Sequence, residues 1–221
     1  FDLIERFFDR PELTGAGEGE GEGIALGIGD DAAVLQLEAD TRLCVSVDTL
    51  VAGVHFPADA PAFDIASRAL AVNLSDLAAM AAQPLCFTLA LSLPEKDANW
   101  LQHFSDGLAS VAGPYQCALV GGDLVRGPLT VTIQVHGTSK VEPLRRGGAQ
   151  PGDAIVVSGA PGRGALSLLA LGVSSHLGDE FKLLRVLTEK DRASLRQKFY
   201  SPQPRLVLAN QARSLLHAGI D

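Results

Sequence analysis

AFDIASRALAVNLSDLAAMAAQPLCFTLALSL, residues 62–93, decides the fold class. Residues 62–82 are rich in Ala and Leu with few breakers, which predicts a long helix ended by Pro84. The apolar run 85–93 that follows reads as a strand. Working outward, 97–112 has helical periodicity with an acidic start, and 116–120 reads as a buried strand ending in a tight turn at Gly121-Gly122. Arg126-Gly127-Pro128 then turns the chain into 129–136, where Val131, Ile133 and Val135 alternate with Thr130, Thr132 and Gln134, a strand with two unlike faces. Upstream, 32–37 and 42–47 read as a hairpin around Glu38-Ala39-Asp40, and Leu3, Ile4, Phe7 and Phe8 recur at helical spacing. The glycine and glutamate run 14–23 reads as a mobile loop. These interleaved elements predict an α/β chain with mixed sheets.

The turn-rich stretch 145–153 is followed by a predicted strand at 154–158, a helix at 164–171, and helical segments at 179–187, 189–199 and 205–217. The expected organisation is a first domain at 1–140, a linker at 141–152 and the start of a second α/β domain at 153–221. One strand among several helices leaves that second sheet unfinished. No internal repeat is evident.

Composition narrows the class of function. The chain has 221 residues, 47% hydrophobic and 20% charged, which excludes bulk disorder. With 18 Lys+Arg against 26 Asp+Glu and a net charge of −8, it has no basic stripe to neutralise a phosphate backbone, so nucleic acid is not an expected partner. Cys44, Cys86 and Cys117 are odd in number and lack Cys-x-x-Cys spacing, arguing against a disulfide framework or thiolate zinc site and for a cytoplasmic location. No apolar run is long enough to span a bilayer, and acids in Phe1-Asp2-Leu3-Ile4-Glu5-Arg6 argue against a signal peptide. With Phe first and Met80 the only Met, the natural start is expected to lie outside this sequence.

Between Ile24 and Leu91 there are eight acids (Asp30, Asp31, Glu38, Asp40, Asp48, Asp59, Asp64, Asp76) and two basic residues, Arg42 and Arg68. Asp31, Asp48 and Asp76 adjoin apolar segments, where a carboxylate needs a cation or hydrogen-bond donors. Hard cations held by oxygen ligands are one solution. Gly29-Asp30-Asp31 delivers two acids at the mouth of a strand. Ser46 and Asp48 project from one strand face, and Asn73 and Asp76 share one helix face. Gly121-Gly122-Asp123 follows an apolar strand where bare backbone N–H groups can approach a phosphate. Arg145-Arg146 offers guanidinium forks suited to phosphate. Taken singly, each is equally the pattern of a polar turn, an exposed helix stripe or a solvated linker, and His55 before Phe56-Pro57 is a lone imidazole. The glycine-rich 158–164 lacks the ending of a P-loop and the spacing of a dinucleotide fingerprint.

In order along the chain, Gly29-Asp30-Asp31, the segment from Ser46-Val47-Asp48 to Val54-His55-Phe56, Asn73-Leu74-Ser75-Asp76, Gly121-Gly122-Asp123 and Arg146-Gly147-Gly148-Ala149-Gln150-Pro151-Gly152-Asp153 resemble the thiamine-monophosphate kinase family. Arg126-Gly127-Pro128-Leu129 and His136-Gly137 add to the resemblance. It implies a two-domain aminoimidazole ribonucleotide synthetase-like fold and a homodimer formed through the first domain's sheet. It also implies transfer of the ATP γ-phosphoryl group to thiamine monophosphate, giving thiamine diphosphate and ADP with the help of several Mg²⁺ ions. The family's metal positions fall on Asp30, Ser46, Val47 (through its backbone), Asp48, Asp76, Asp123 and Asp221. Its nucleotide contacts fall on Gly122, Asp123 and Arg146, and a substrate contact on His55. No general base is implied. His217-Ala218-Gly219-Ile220-Asp221 resembles the lead-in to the family's Ile-Asp-x-Ser-Asp-Gly motif, so the second domain is expected to be incomplete. Two rivals stay open: another ATP-dependent enzyme of the same superfamily with a different acceptor, and a non-catalytic nucleotide- or metal-binding module.

Overall fold

The computed structural model describes residues 2–15, 23–173 and 186–221. The expected mobile loop at 14–23 and the helical segment at 179–187 fall mainly outside the described residues. Helices α1 (Asp2–Phe7) and α2 (Pro11–Thr14) lead to a small antiparallel pair, β1 (Ile24–Leu26) with β2 (Val34–Leu35). Then come β3 (Arg42–Val51), α3 (Ala62–Ala79), β4 (Gln83–Leu93), α4 (Ala98–Tyr115), β5 (Ala118–Arg126) and β6 (Thr130–Ser139). The main sheet has the order β3-β6-β4-β5, with β4 and β5 parallel and the other pairs antiparallel. A 3₁₀ turn at Arg146–Gly148 and helices α5 (Arg163–Ala170), α6 (Glu189–Tyr200) and α7 (Leu206–Ala212) complete the described chain. Among the described residues no helix is long and apolar enough to cross a membrane.

One face of the sheet is covered by α3 and α4. Ile65, Leu70, Leu74, Leu101, Phe104 and Leu108 meet Phe87, Val131, Ile133 and Val135 in a core from which water is excluded. Asp97, the acid predicted at the start of α4, caps it: its side chain accepts from the N–H groups of Asn99 and Trp100 at 2.8 and 3.1 Å. The two helices touch closely at Gly107, where a Cβ would lie 2.4 Å from the Phe63 carbonyl oxygen. Arg68 on α3 reaches α6, donating to the Phe199 carbonyl at 2.6 Å with its guanidinium 3.8 Å from the Phe199 ring centroid. Burial lowers its pKa to about 10, and the carbonyl end of α6 meets its charge.

The opposite face is covered only toward β4 and β5, where Ile24, Leu35 and Ala33 of the β1–β2 unit pack on Cys86, Ala118 and Val120, and is open toward β3. Leu43, Val45 and Val47 on β3 and Val125 on β5 are 44, 51, 56 and 49% exposed.

Three expectations are overturned. The predicted hairpin does not form, because β2 pairs with β1 while β3 pairs along its whole length with β6. That longer register lets Cys44 and Leu50 enter the core, which a two-residue partner does not permit. The predicted turn at Gly121-Gly122 is mid-strand: β5 runs on to Arg126, a register shift leaves Val120 as the extra residue opposite Phe87 and Thr88, and both glycines pair with β4. The predicted strand at 154–158 is irregular, with Ile155, Val156 and Val157 at 95, 81 and 58% exposure. Among the described residues no strand lies alongside to take its backbone hydrogen bonds.

Candidate active site

The fold places Ser46, Asp76, Asp221 and Arg146 in the lining of one cleft and Asp30, Asp31, Gly122 and Asp123 in that of another, while Val47, Asp48 and His55 line neither. Strand alternation turns Ser46 and Asp48 to the face covered by α3, on the same side as Cys44 and Leu50. There Ser46 Oγ donates to Asp76 Oδ2 at 2.7 Å. Asn73, fully buried one helical turn before Asp76, accepts from the Asp48 backbone N–H at 3.1 Å and donates to the Ala69 carbonyl at 2.8 Å. Asn73 is therefore the bracket between helix and strand, and not part of an exposed stripe. Ser75 Oγ donates to Asp221 Oδ1, which brings the end of the chain to the same place. Ser46, Asp76 and Asp221 line a cavity of about 490 Å³ together with Arg42, Arg145 and Arg146.

Beside this cleft Asp48 has two carboxylates for neighbours. Burial, then the Asp76 charge, then the Asp221 charge push the Asp48 carboxyl above its ordinary range, while His55 opposes them. Among the described residues no Lys or Arg comes within ion-pair distance of Asp48, Asp76 or Asp221. His55 sits in the turn after β3, where Nδ1 accepts from the Val51 N–H at 3.0 Å. In the neutral ring the proton is then on Nε2.

Asp30, Asp31, Gly122 and Asp123 line a second, larger cleft of about 820 Å³. The 27–33 loop between β1 and β2 carries the two acids, with Asp30 Oδ1 accepting from the Asp31 N–H at 2.8 Å. Asp123 pairs in register with Ala90, and Ala90 with Thr132 and Thr132 with Thr49, so its side chain is on the open face of the sheet. Gly122 is pressed on β4: a Cβ there would lie 1.9 Å from the Leu89 carbonyl oxygen. Gln134 and His136 also line this cleft; the alternation of β6 was the signal for Gln134, and for His136 the His136-Gly137 resemblance, with no role attached. Arg42 and Glu142 in the other cleft, 3.0 Å apart, had none, because one comes from a strand and the other from a loop far along the chain.

A single copy therefore does not unite the candidate metal ligands. β3 and β5 are the two edges of the sheet, three strand spacings or about 14 Å apart, and Asp48 and Asp123 face opposite sides of it. Among the described residues no three acidic, imidazole or thiol groups converge on one point. The donor chemistry nevertheless fits hard divalent cations: carboxylate and hydroxyl oxygens, with Asp76 and Asp221 repelling Asp48 and, among the described residues, none of the three in an ion pair with Lys or Arg.

This mixed sheet backed by two helices, with acids at both edges, defines a class. The AIR synthase related protein family, N-terminal domain, matches residues 29–139, and the chain belongs to that family. Within it, the chain is similar to thiamine-monophosphate kinase of Salmonella typhimurium, 43% identical over 222 residues that cover all of this chain and 64% of the relative. It is also similar to the crystal structure of thiamine-monophosphate kinase from Stenotrophomonas maltophilia, at 44% identity and a TM-score of 0.78, covering 99% of this chain and 66% of that one. A third likeness, to the structure of AaThiL complexed with AMPPCP and TMP, has a TM-score of 0.70 at 21% identity over 98% of this chain and 62% of that one, and speaks for the fold alone. The chain thus spans about two thirds of the length of these relatives.

Proposed function

We propose that this chain is the larger part of a thiamine-monophosphate kinase, which transfers the γ-phosphoryl group of ATP to thiamine monophosphate and releases thiamine diphosphate and ADP. The observation that carries the reading is 43% identity to a relative of that name, running over the whole chain. Residues 1–140 would form the nucleotide- and metal-binding domain, 141–152 the linker, and 153–221 the beginning of the second domain. The three Cys are free and buried, in keeping with a reducing cytoplasm.

Asp30, Ser46, the Val47 backbone, Asp48, Asp76, Asp123 and Asp221 would hold Mg²⁺, which when bound supplies charge neutralisation between two phosphate-bearing reactants. The chain's own part is positioning. Ser46 and Asn73 fix the Asp76 and Asp48 groups against each other. Gly122 leaves backbone beside the second cleft bare for a phosphate, and Arg146 presents a guanidinium to the first. His55 would meet the thiamine monophosphate. Because the acceptor phosphate already has nucleophilic oxygens, no side chain need take a proton, and transfer is in line between the substrates.

The separation of Asp48 and Asp123 favours a homodimer in which a second copy covers the open sheet face and brings its β5 edge toward this copy's β3 edge. The exposed Val45, Val47 and Val125 suit such a contact. The test is incubation of the intact protein with ATP, Mg²⁺ and thiamine monophosphate, with thiamine diphosphate and ADP read by chromatography. Equal amounts of the two products are expected. ADP formation only with some other acceptor would point to a different member of the superfamily, and nucleotide binding without turnover to a non-catalytic module; either overturns the kinase reading.

A further inference from the structure

The last residues of the chain lie between two parts of the cavity that holds Ser46 and Asp76. On one side is the end of α3: a Cβ on Gly219 would lie 2.1 Å from the Ala79 carbonyl oxygen, so the backbone rests directly on the helix. On the other is the 142–153 loop that carries Arg146. A Cβ on Gly148 would lie 2.2 Å from the His217 carbonyl oxygen. The Leu144 N–H donates to the Met80 carbonyl at 3.0 Å, so this loop is itself fastened to α3.

One polar pair joins loop and terminal segment. Asp153 Oδ2 accepts from the Gln150 N–H at 2.8 Å and closes the loop, while its Oδ1 is 2.8 Å from His217 Nδ1. An ionised carboxylate only accepts, so the His217 Nδ1 proton is the one donated. Four residues on, Asp221 accepts from Ser75, and both Asp221 and Arg146 face the cavity of about 490 Å³.

We propose that Asp153 and His217 are positioning residues: their hydrogen bond holds the Arg146 loop and Asp221 together in the lining of one cavity, so that the nucleotide contact and the metal ligand are placed together. The proposal rests on the phosphotransferase reading above. The pair's side chains are 31 and 55% exposed, so it adds little to global stability, and its loss leaves a folded protein in which the role can be measured.

The experiment measures Mn²⁺ binding to the intact protein by electron paramagnetic resonance, in wild type, Asp153→Ala, His217→Ala, the double variant and His217→Asn. Each alanine variant should weaken Mn²⁺ binding by about tenfold, the range for lost outer partners of a metal ligand. The double variant should be no weaker than the poorer single one, because both remove the same bond. His217→Asn, whose amide N–H replaces the Nδ1 donor, should recover most of the loss, and the metal-free melting temperature should stay constant across the set. Wild-type affinity in both alanine variants, additive losses in the double, or losses that follow the melting temperature overturn the positioning role alone. A wild type that binds no Mn²⁺ overturns the phosphotransferase reading and this proposal with it.

Discussion

Asp48 lies mid-strand on the covered face of the sheet, where burial and two neighbouring carboxylates push its carboxyl above the ordinary aspartate range. The folded protein then holds that proton more tightly than the unfolded chain, so Asp48 makes stability fall as pH rises from the ordinary aspartate range through the raised value. Asp76→Asn removes the charge that raises the Asp48 carboxyl more than Asp221 does, and keeps the shape. The Asp48 titration followed by NMR should move down in this variant, and metal-free stability at neutral pH should hold or rise slightly. Mg²⁺-dependent transfer should fall by at least about tenfold. An unmoved Asp48 titration, or full transfer at limiting Mg²⁺, would remove Asp76 from the site. Asp48 and Asp76 were visible in the sequence as acids beside apolar runs. The bracket formed by Asn73 was not, since the Asp48 N–H comes from a strand 25 residues upstream.

Among the elements, the helix at 62–79 and the strand after it follow from composition, because helix propensity is a local property; the helix stops at Met80 and Ala81, earlier than expected, and Pro84 lies inside β4. Pairing is not local. The run 42–47 is strand-like whatever its partner, and the choice of β6 over β2 is made by the core its long register completes. The α3–α4 contact is another such choice. Gly107→Ala would place its new methyl 2.4 Å from the Phe63 carbonyl oxygen, forcing the helices apart. We expect a cost of about 1–3 kcal/mol, seen as a lower urea midpoint with an unchanged slope. A midpoint equal to wild type would mean that the contact is looser than the distance implies.

For the whole molecule, the decisive feature is a four-stranded sheet with one face packed and the other bearing exposed Val45 and Val47. If a second copy covers that face, Val45→Glu buries a charge at the interface and should convert the dimer to a monomer in analytical ultracentrifugation, with the fold retained by circular dichroism. A Val45→Glu protein that remains dimeric would move the interface elsewhere. Loss of phosphoryl transfer together with the dimer would support ligands shared between copies, since Asp48 and Asp123 face opposite sides of one sheet.

The mixed α/β class, most helices and strands, and the identity of the acids were legible in the residues alone. All of these are written in local periodicity, in composition, and in motif order. That β3 joins β6, that β5 passes through Gly121-Gly122, and that among the described residues no strand lies beside 154–158 emerged only with the folded chain. So did the placing of Asp76 and Asp221 in one cleft and of Asp30, Asp31 and Asp123 in another. Strand pairing, and the side of the sheet on which a carboxylate emerges, depend on which distant segments together exclude water, and no local pattern carries that information.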